Sequence, residues 1–151
     1  MSQSILKSIA IEYFDRLLNK KDLSVCDELL SEDYIDHDAP ENTPPGPGDT
    51  REFVIKLLDK YPNMVLKVED IIVEAKKVVL RNIWTGNHRE TGAKFHKMGI
   101  VILLFNEQNQ IKERWSAYND FKAFFHLPNK ELRIEAITMR AGIMRGNCLN
   151  N

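Results

Sequence analysis

The chain has 151 residues, 43% of them hydrophobic and 28% charged. That suits one soluble globular domain, long enough to bury a core without disulfides or a structural metal, and excludes disordered and membrane classes. Lys and Arg number 21 against 22 Asp and Glu, which leaves no electrostatic footprint for nucleic acid or an acidic membrane surface. No run approaches the ~18 apolar residues of a membrane span. The early charges Lys7, Glu12 and Asp15 do not fit the apolar core of a secretion signal, so a cytoplasmic location is expected.

Over residues 4–18, Ile5, Ile9, Tyr13 and Leu17 recur at four-residue steps with Leu6, Ala10, Phe14 and Leu18 beside them. This spacing predicts a packed helix. A second short helix is expected over 23–30, where Val25, Cys26, Leu29 and Leu30 share a face, and the two form a helical hairpin. The acidic run Glu32-Asp33-Tyr34-Ile35-Asp36-His37-Asp38 leads into a stretch with four prolines and two glycines before Asp49. The whole of 32–49 reads as a long loop. A third helix over 51–60 follows, capped by Asp49 or Thr50, with Phe53, Val54, Leu57 and Leu58 as its apolar side and Pro62 past its end.

Beyond Pro62 the period changes. Segments 64–74, 77–87, 95–106 and 111–119 are rich in Val, Ile, Leu, Phe and Trp, with short breaks between them, and predict four long strands in an antiparallel meander. Helices first and one sheet afterwards is the order of an α+β layer protein. A helical turn is expected over 119–125. A domain of residues 1–128 would then carry a C-terminal extension, 129–151, with a weak helix and a frayed end.

Cys26 and Cys148 stand in no metal- or redox-type spacing and read as free thiols. Asp36 and Asp38 are an acidic pair without a third ligand, so no metal is expected. Arg81, set among Val78, Val79, Leu80 and Ile83, needs a carboxylate or a polar ligand, with Asp70 and Glu113 the candidate partners. Trp84, Trp115, Tyr34, Phe53, Met98 and Phe105 supply flat apolar surface that suits either a core or a ligand.

Several stretches resemble the SnoaL-like polyketide cyclase family, also called ester cyclases, in the nuclear transport factor 2-like superfamily. They are Tyr34-Ile35-Asp36-His37, Gly48 opening a helix that ends at Tyr61-Pro62-Asn63, Val68-Glu69-Asp70-Ile71-Ile72, Val79-Leu80-Arg81 with Thr85-Gly86-Asn87-His88, and Ile111-Lys112-Glu113-Arg114-Trp115. The likeness spans roughly residues 5 to 125 and lies in the order and spacing of the pieces. It implies a cone-shaped curved antiparallel sheet wrapped on N-terminal helices, around a pocket for a small hydrophobic ligand. It further implies a ring-closing aldol step without metal or cofactor, and a homodimer paired through the outer sheet face.

The family's acid/base is an Asp four residues after the tryptophan that corresponds to Trp115; here that position is Asn119, followed by Asp120. Three readings follow. A bulge turns Asp120 inward; His37 or His88 is the base; or the domain binds a ligand without transforming it. The candidate catalytic residues are therefore Asp120, His37 and Asn119, and the candidate ligand contacts are Tyr34, Arg81, His88, Trp115 and Met98. The competing function is a non-catalytic binding or dimerisation module.

Overall fold

The computed structural model describes residues 2–119, and those up to Tyr118 pack as a unit of their own. All but the first residue of the turn expected at 119–125, the extension 129–151 and Asp120 lie outside the described residues.

The first helix, α1 (Ser2–Phe14), is continued by a π-helical turn, Asp15–Asn19. Leu6, Ala10, Tyr13 and Phe14 form its buried stripe, and the extra residue in the wider π turn brings Leu17 and Leu18 into the same core. The turn ends on Asn19, whose side-chain amide donates to the Leu66 carbonyl (2.9 Å) and whose side-chain oxygen accepts from the Leu66 N–H (2.8 Å). Those two bonds replace the strand partner that edge residue Leu66 lacks. Helix α2 (Ser24–Leu29) buries Val25 and Cys26. Arg16 ties the two helices together through Glu12, Asp22 and Glu28.

Leu30–Asp36 is a strand, β1, not the start of a loop. It is an edge strand parallel to the last strand of the sheet, with Asp36 paired to Arg114. Its exposed Glu32 and Asp33 suppress the apolar signal that marks a strand, and its partner is about eighty positions away. The loop proper is confined to 37–47, and Gly46 seals it to β1 by donating its N–H to the Tyr34 carbonyl (2.8 Å). Helix α3 (Gly48–Lys60) then begins three residues earlier than its apolar pattern predicts, at the Gly48 that the family resemblance gives.

Four antiparallel strands follow close to their expected places: β2 (Val65–Glu74), β3 (Lys77–Asn87), β4 (Lys94–Phe105) and β5 (Ile111–Tyr118). The sheet order is β1-β5-β4-β3-β2, and the sheet is curved and unclosed, in an α+β architecture. Ala75 and Asn109 take positive φ in the tight turns after β2 and β4.

Alternation sorts the strands into two faces. Val78, Leu80 and Asn82 of β3 and Val101, Leu103 and Phe105 of β4 are buried against the helices. Arg81, Ile83, Met98, Ile100 and Ile102 take the other face. No helix among the described residues is long and apolar enough to cross a membrane.

Candidate functional site

Register decides which residues meet inside the sheet. Arg114 pairs with Leu103, Ser116 with Val101 and Tyr118 with Gly99, so the even-numbered residues of β5 share the inner face with the core of β4. In parallel β1, Asp36 stands beside Arg114. Helix α3 lays Thr50, Phe53 and Leu57 over them, three and four residues apart on one helical face. Between these elements lies a cavity of about 520 Å³, walled also by Asp38, Trp84 and Lys97. Its surface is mostly apolar, Trp84 stands edge-on to Tyr118 at 5.6 Å, and Phe53, 60% exposed, marks the mouth.

One polar array interrupts the apolar wall. The Arg114 side chain, only 14% exposed, donates through Nη1 to both oxygens of Asp36 (3.0 and 2.9 Å) and to Asp38 Oδ2 (3.2 Å). Its Nη2 donates to Ser116 Oγ (3.1 Å) and to the Tyr118 hydroxyl (2.8 Å). Ser116 in turn donates to Asp38 Oδ2 at 2.5 Å, and the Asp38 N–H closes a local turn onto Asp36 Oδ1 (3.0 Å). Burial works against the Arg114 charge, but Tyr118 and Asp36 outweigh it and hold the guanidinium more firmly protonated than an ordinary arginine.

Chemically, the array fixes one carboxylate, Asp38, at the edge of an apolar space while a buried cation anchors it. The Tyr118 hydroxyl accepts from Arg114, so its own proton is free to point at a ligand oxygen. Arg114 already supplies the cation between the two aspartates, and among the described residues no three His, Cys, Asp or Glu side chains cluster as a metal site.

The expected site residues are dispersed. Odd positions of β5 face outward, so Trp115 lies on the outer surface with Arg81 and Met98, away from the cavity. His37 joins Trp115 there: the rings stack at 4.4 Å and 6°, and His37 Nε2 is 2.8 Å from Glu113 Oε2. Arg81 pairs with Asp70, one of its two expected partners, at 2.6 Å.

His88 is a turn residue, its Nδ1 accepting from the N–H groups of Glu90 (3.3 Å) and Thr91 (3.4 Å). Tyr34 is buried under the 37–47 loop, beside a cavity of about 210 Å³. Burial, with the nearby Asp36 charge, pushes its phenol well above the ordinary range. Asn119 follows β5 and is half-buried.

The residues that do meet, Asp36, Asp38, Arg114, Ser116 and Tyr118, carry a signal in the chain: two runs of polar residues at period two, Asp36-x-Asp38 and Arg114-x-Ser116-x-Tyr118. Inside a strand such a pattern marks one polar face. Trp115, between two of them, is the more conspicuous residue and masks the pattern.

The family described as SnoaL-like polyketide cyclase matches residues 8–125. Among solved structures, TsrD from Streptomyces laurentii is similar over 79% of this chain and 91% of its own, at 18% identity and a TM-score of 0.71. A SnoaL-like polyketide cyclase from Agrobacterium tumefaciens is similar over 76% and 91%, at 16% identity and a TM-score of 0.66. AclR from Streptomyces galilaeus is similar over 99% of both chains, at 21% identity and a TM-score of 0.69. At these identities the likeness is one of fold. No curated protein matches the sequence.

Proposed function

Because the chain belongs to the SnoaL-like polyketide cyclase family, we propose that its cavity takes a small hydrophobic carbonyl compound and that Asp38 moves a proton alpha to that carbonyl. The observation that carries this reading is the anchored carboxylate of Asp38, held by Ser116 and Arg114 at the rim of the apolar cavity. In the step, Asp38 takes the C–H proton, the electron pair moves to the carbonyl oxygen, and the Tyr118 hydroxyl donates a hydrogen bond to the enolate. Attack of the enolate carbon on a second carbonyl of the same molecule closes a ring, and protonated Asp38 returns its proton to the alkoxide, which restores the carboxylate. Return of the proton at another carbon gives isomerisation. Neither route calls for a cofactor. Asp38 thus takes the role that Asn119, an amide, cannot fill.

The test is α-proton exchange of 2-tetralone in D₂O followed by NMR. The wild type should accelerate exchange, and Asp38→Asn should lower that acceleration by ~10²-fold or more, with His37→Gln unchanged. If Asp120→Asn abolishes exchange and Asp38→Asn does not, the base is Asp120. Asn119 at the family's acid position favours the second reading, a binding module without chemistry; ligand binding with no exchange would establish it.

The same proposal includes a homodimer through the outer sheet face. It is supported by the exposed apolar side chains there, Ile72 (65%), Val65 (51%), Ile35 (44%) and Ile100 (43%).

A further inference from the structure

The inner face of β3 carries a residue that the proposed chemistry does not use. Asn82 is 0% exposed, and among the described residues neither its Nδ2 nor its Oδ1 has a hydrogen-bond partner. A buried amide left unpaired is costly, and native proteins rarely keep one without a use or an occupant. Two residues along the same face, Trp84 Nε1 is also buried and, among the described residues, unpaired, and Trp84 is a wall of the cavity.

The neighbouring strands show why Asn82 is shut off. Asn82 pairs with Gly99, and Gly99 pairs with Tyr118. Gly99 has no side chain, and the Tyr118 ring fills the space above it: a Cβ at Gly99 would lie 2.5 Å from Tyr118 Cε1. Tyr118 also lines the cavity. The ring that lines the cavity thus covers Gly99, the residue paired with Asn82, and it belongs to a half-buried side chain held at its hydroxyl by Arg114.

We propose that Asn82 is the base of a deeper arm of the cavity, opened when the Tyr118 ring swings off Gly99, and that it reads the ligand's head group. An asparagine amide offers an acceptor beside donors, so its complement is a neutral head that pairs a donor with an acceptor, as in a primary amide or an enolised 1,3-dicarbonyl. On the closed side Asn82 is flanked by Leu80 and Val101, both 0% exposed, with Val68 opposite on β2. A charged head pushed there would lose its hydration without a partner. A site built to hydrogen-bond a head group rejects analogues that lack it. This inference rests on the cavity being a ligand site.

Two probes of nearly equal size separate the possibilities: 2-naphthamide, with donor and acceptor, and 2-acetylnaphthalene, with an acceptor alone. Their affinities would be measured by calorimetry for the wild type, Asn82→Leu, Asn82→Ala and Phe53→Ala. The wild type should bind the amide roughly tenfold more tightly than the ketone. Asn82→Leu and Asn82→Ala should both abolish that preference, and Asn82→Leu should leave ketone affinity within about twofold. If the wild type shows no preference, or if the preference survives in both variants, Asn82 does not read the head group and the inference is overturned. The cavity reading then stands as long as Phe53→Ala weakens the ketone. If neither probe binds the wild type, both readings fall together.

Discussion

Replacing Arg114 with methionine, of similar length but uncharged, tests whether the polar array organises the site. Arg114 and Asp36 are 14% and 20% exposed, and Nη1 lies 3.0 and 2.9 Å from the two carboxylate oxygens. Removing one member of a buried pair costs ~3–5 kcal/mol, because the other charge is left without a partner. The residual exposure puts this pair at the lower end, so Arg114→Met should lose about 3 kcal/mol. At ~4 °C per kcal/mol for a domain of this size, the melting temperature should fall by ~12 °C.

The double variant Arg114→Met/Asp36→Leu should be more stable than the sum of the single changes implies, by about 2 kcal/mol, since residues in one ion-pair network couple. Urea unfolding followed by circular dichroism at pH 7 reads all three variants. A loss below ~1 kcal/mol for Arg114→Met, or strictly additive effects, would refute a desolvated ion pair as the organiser of the site.

Two further outcomes follow, one from a buried group and one from an exposed face. Cys26 is a free, buried thiol, and burial pushes its pKa from the ordinary 9.0 up to about 11. The unfolded chain therefore gives up this proton first as pH rises, and the stability tied to the neutral thiol is lost between about pH 9 and pH 11. Urea midpoints should fall across that window by more in the wild type than in Cys26→Val. On the outer face, Ile100→Glu should leave the circular dichroism spectrum unchanged while moving sedimentation equilibrium toward a monomer. A wild type that sediments as a monomer at high concentration would remove the homodimer from the proposal.

Much of the fold is legible in the chain because its signals are local. The four-residue recurrence from Ile5 to Leu17, the break at Pro62 and the long β-branched runs each report their own element. The strands they predict agree with the structure to within a residue or two at their ends. The strand Leu30–Asp36 is hidden for the opposite reason: five of its seven side chains are acidic or hydroxylic, and its hydrogen bonds go to a segment far along the sequence.

The site is legible only in part. Alternation correctly separates Trp115 and Ala117 from Ser116 and Tyr118, yet a strand with mixed residues on both faces does not announce which face is inside. Contact with β4 decides it, since Ser116 and Tyr118 share their rungs with buried Val101 and with Gly99. Hence Arg114 and the two aspartates form the polar array, and the more noticeable Trp115 and His37 stack outside.

Residue order alone is enough to place the class of molecule: three helical segments ahead of a meander, a near-zero net charge, and ordered stretches from Tyr34 to Trp115 that resemble one family. Such properties follow from periodicity and composition, which are written residue by residue. Packing in three dimensions sets which carboxylate meets which cation, lays the Tyr118 ring over Gly99, and buries Asn82 with no partner among the described residues. Those facts depend on register between strands that are distant in the chain, and a shift of one residue would turn every one of these side chains to the opposite face.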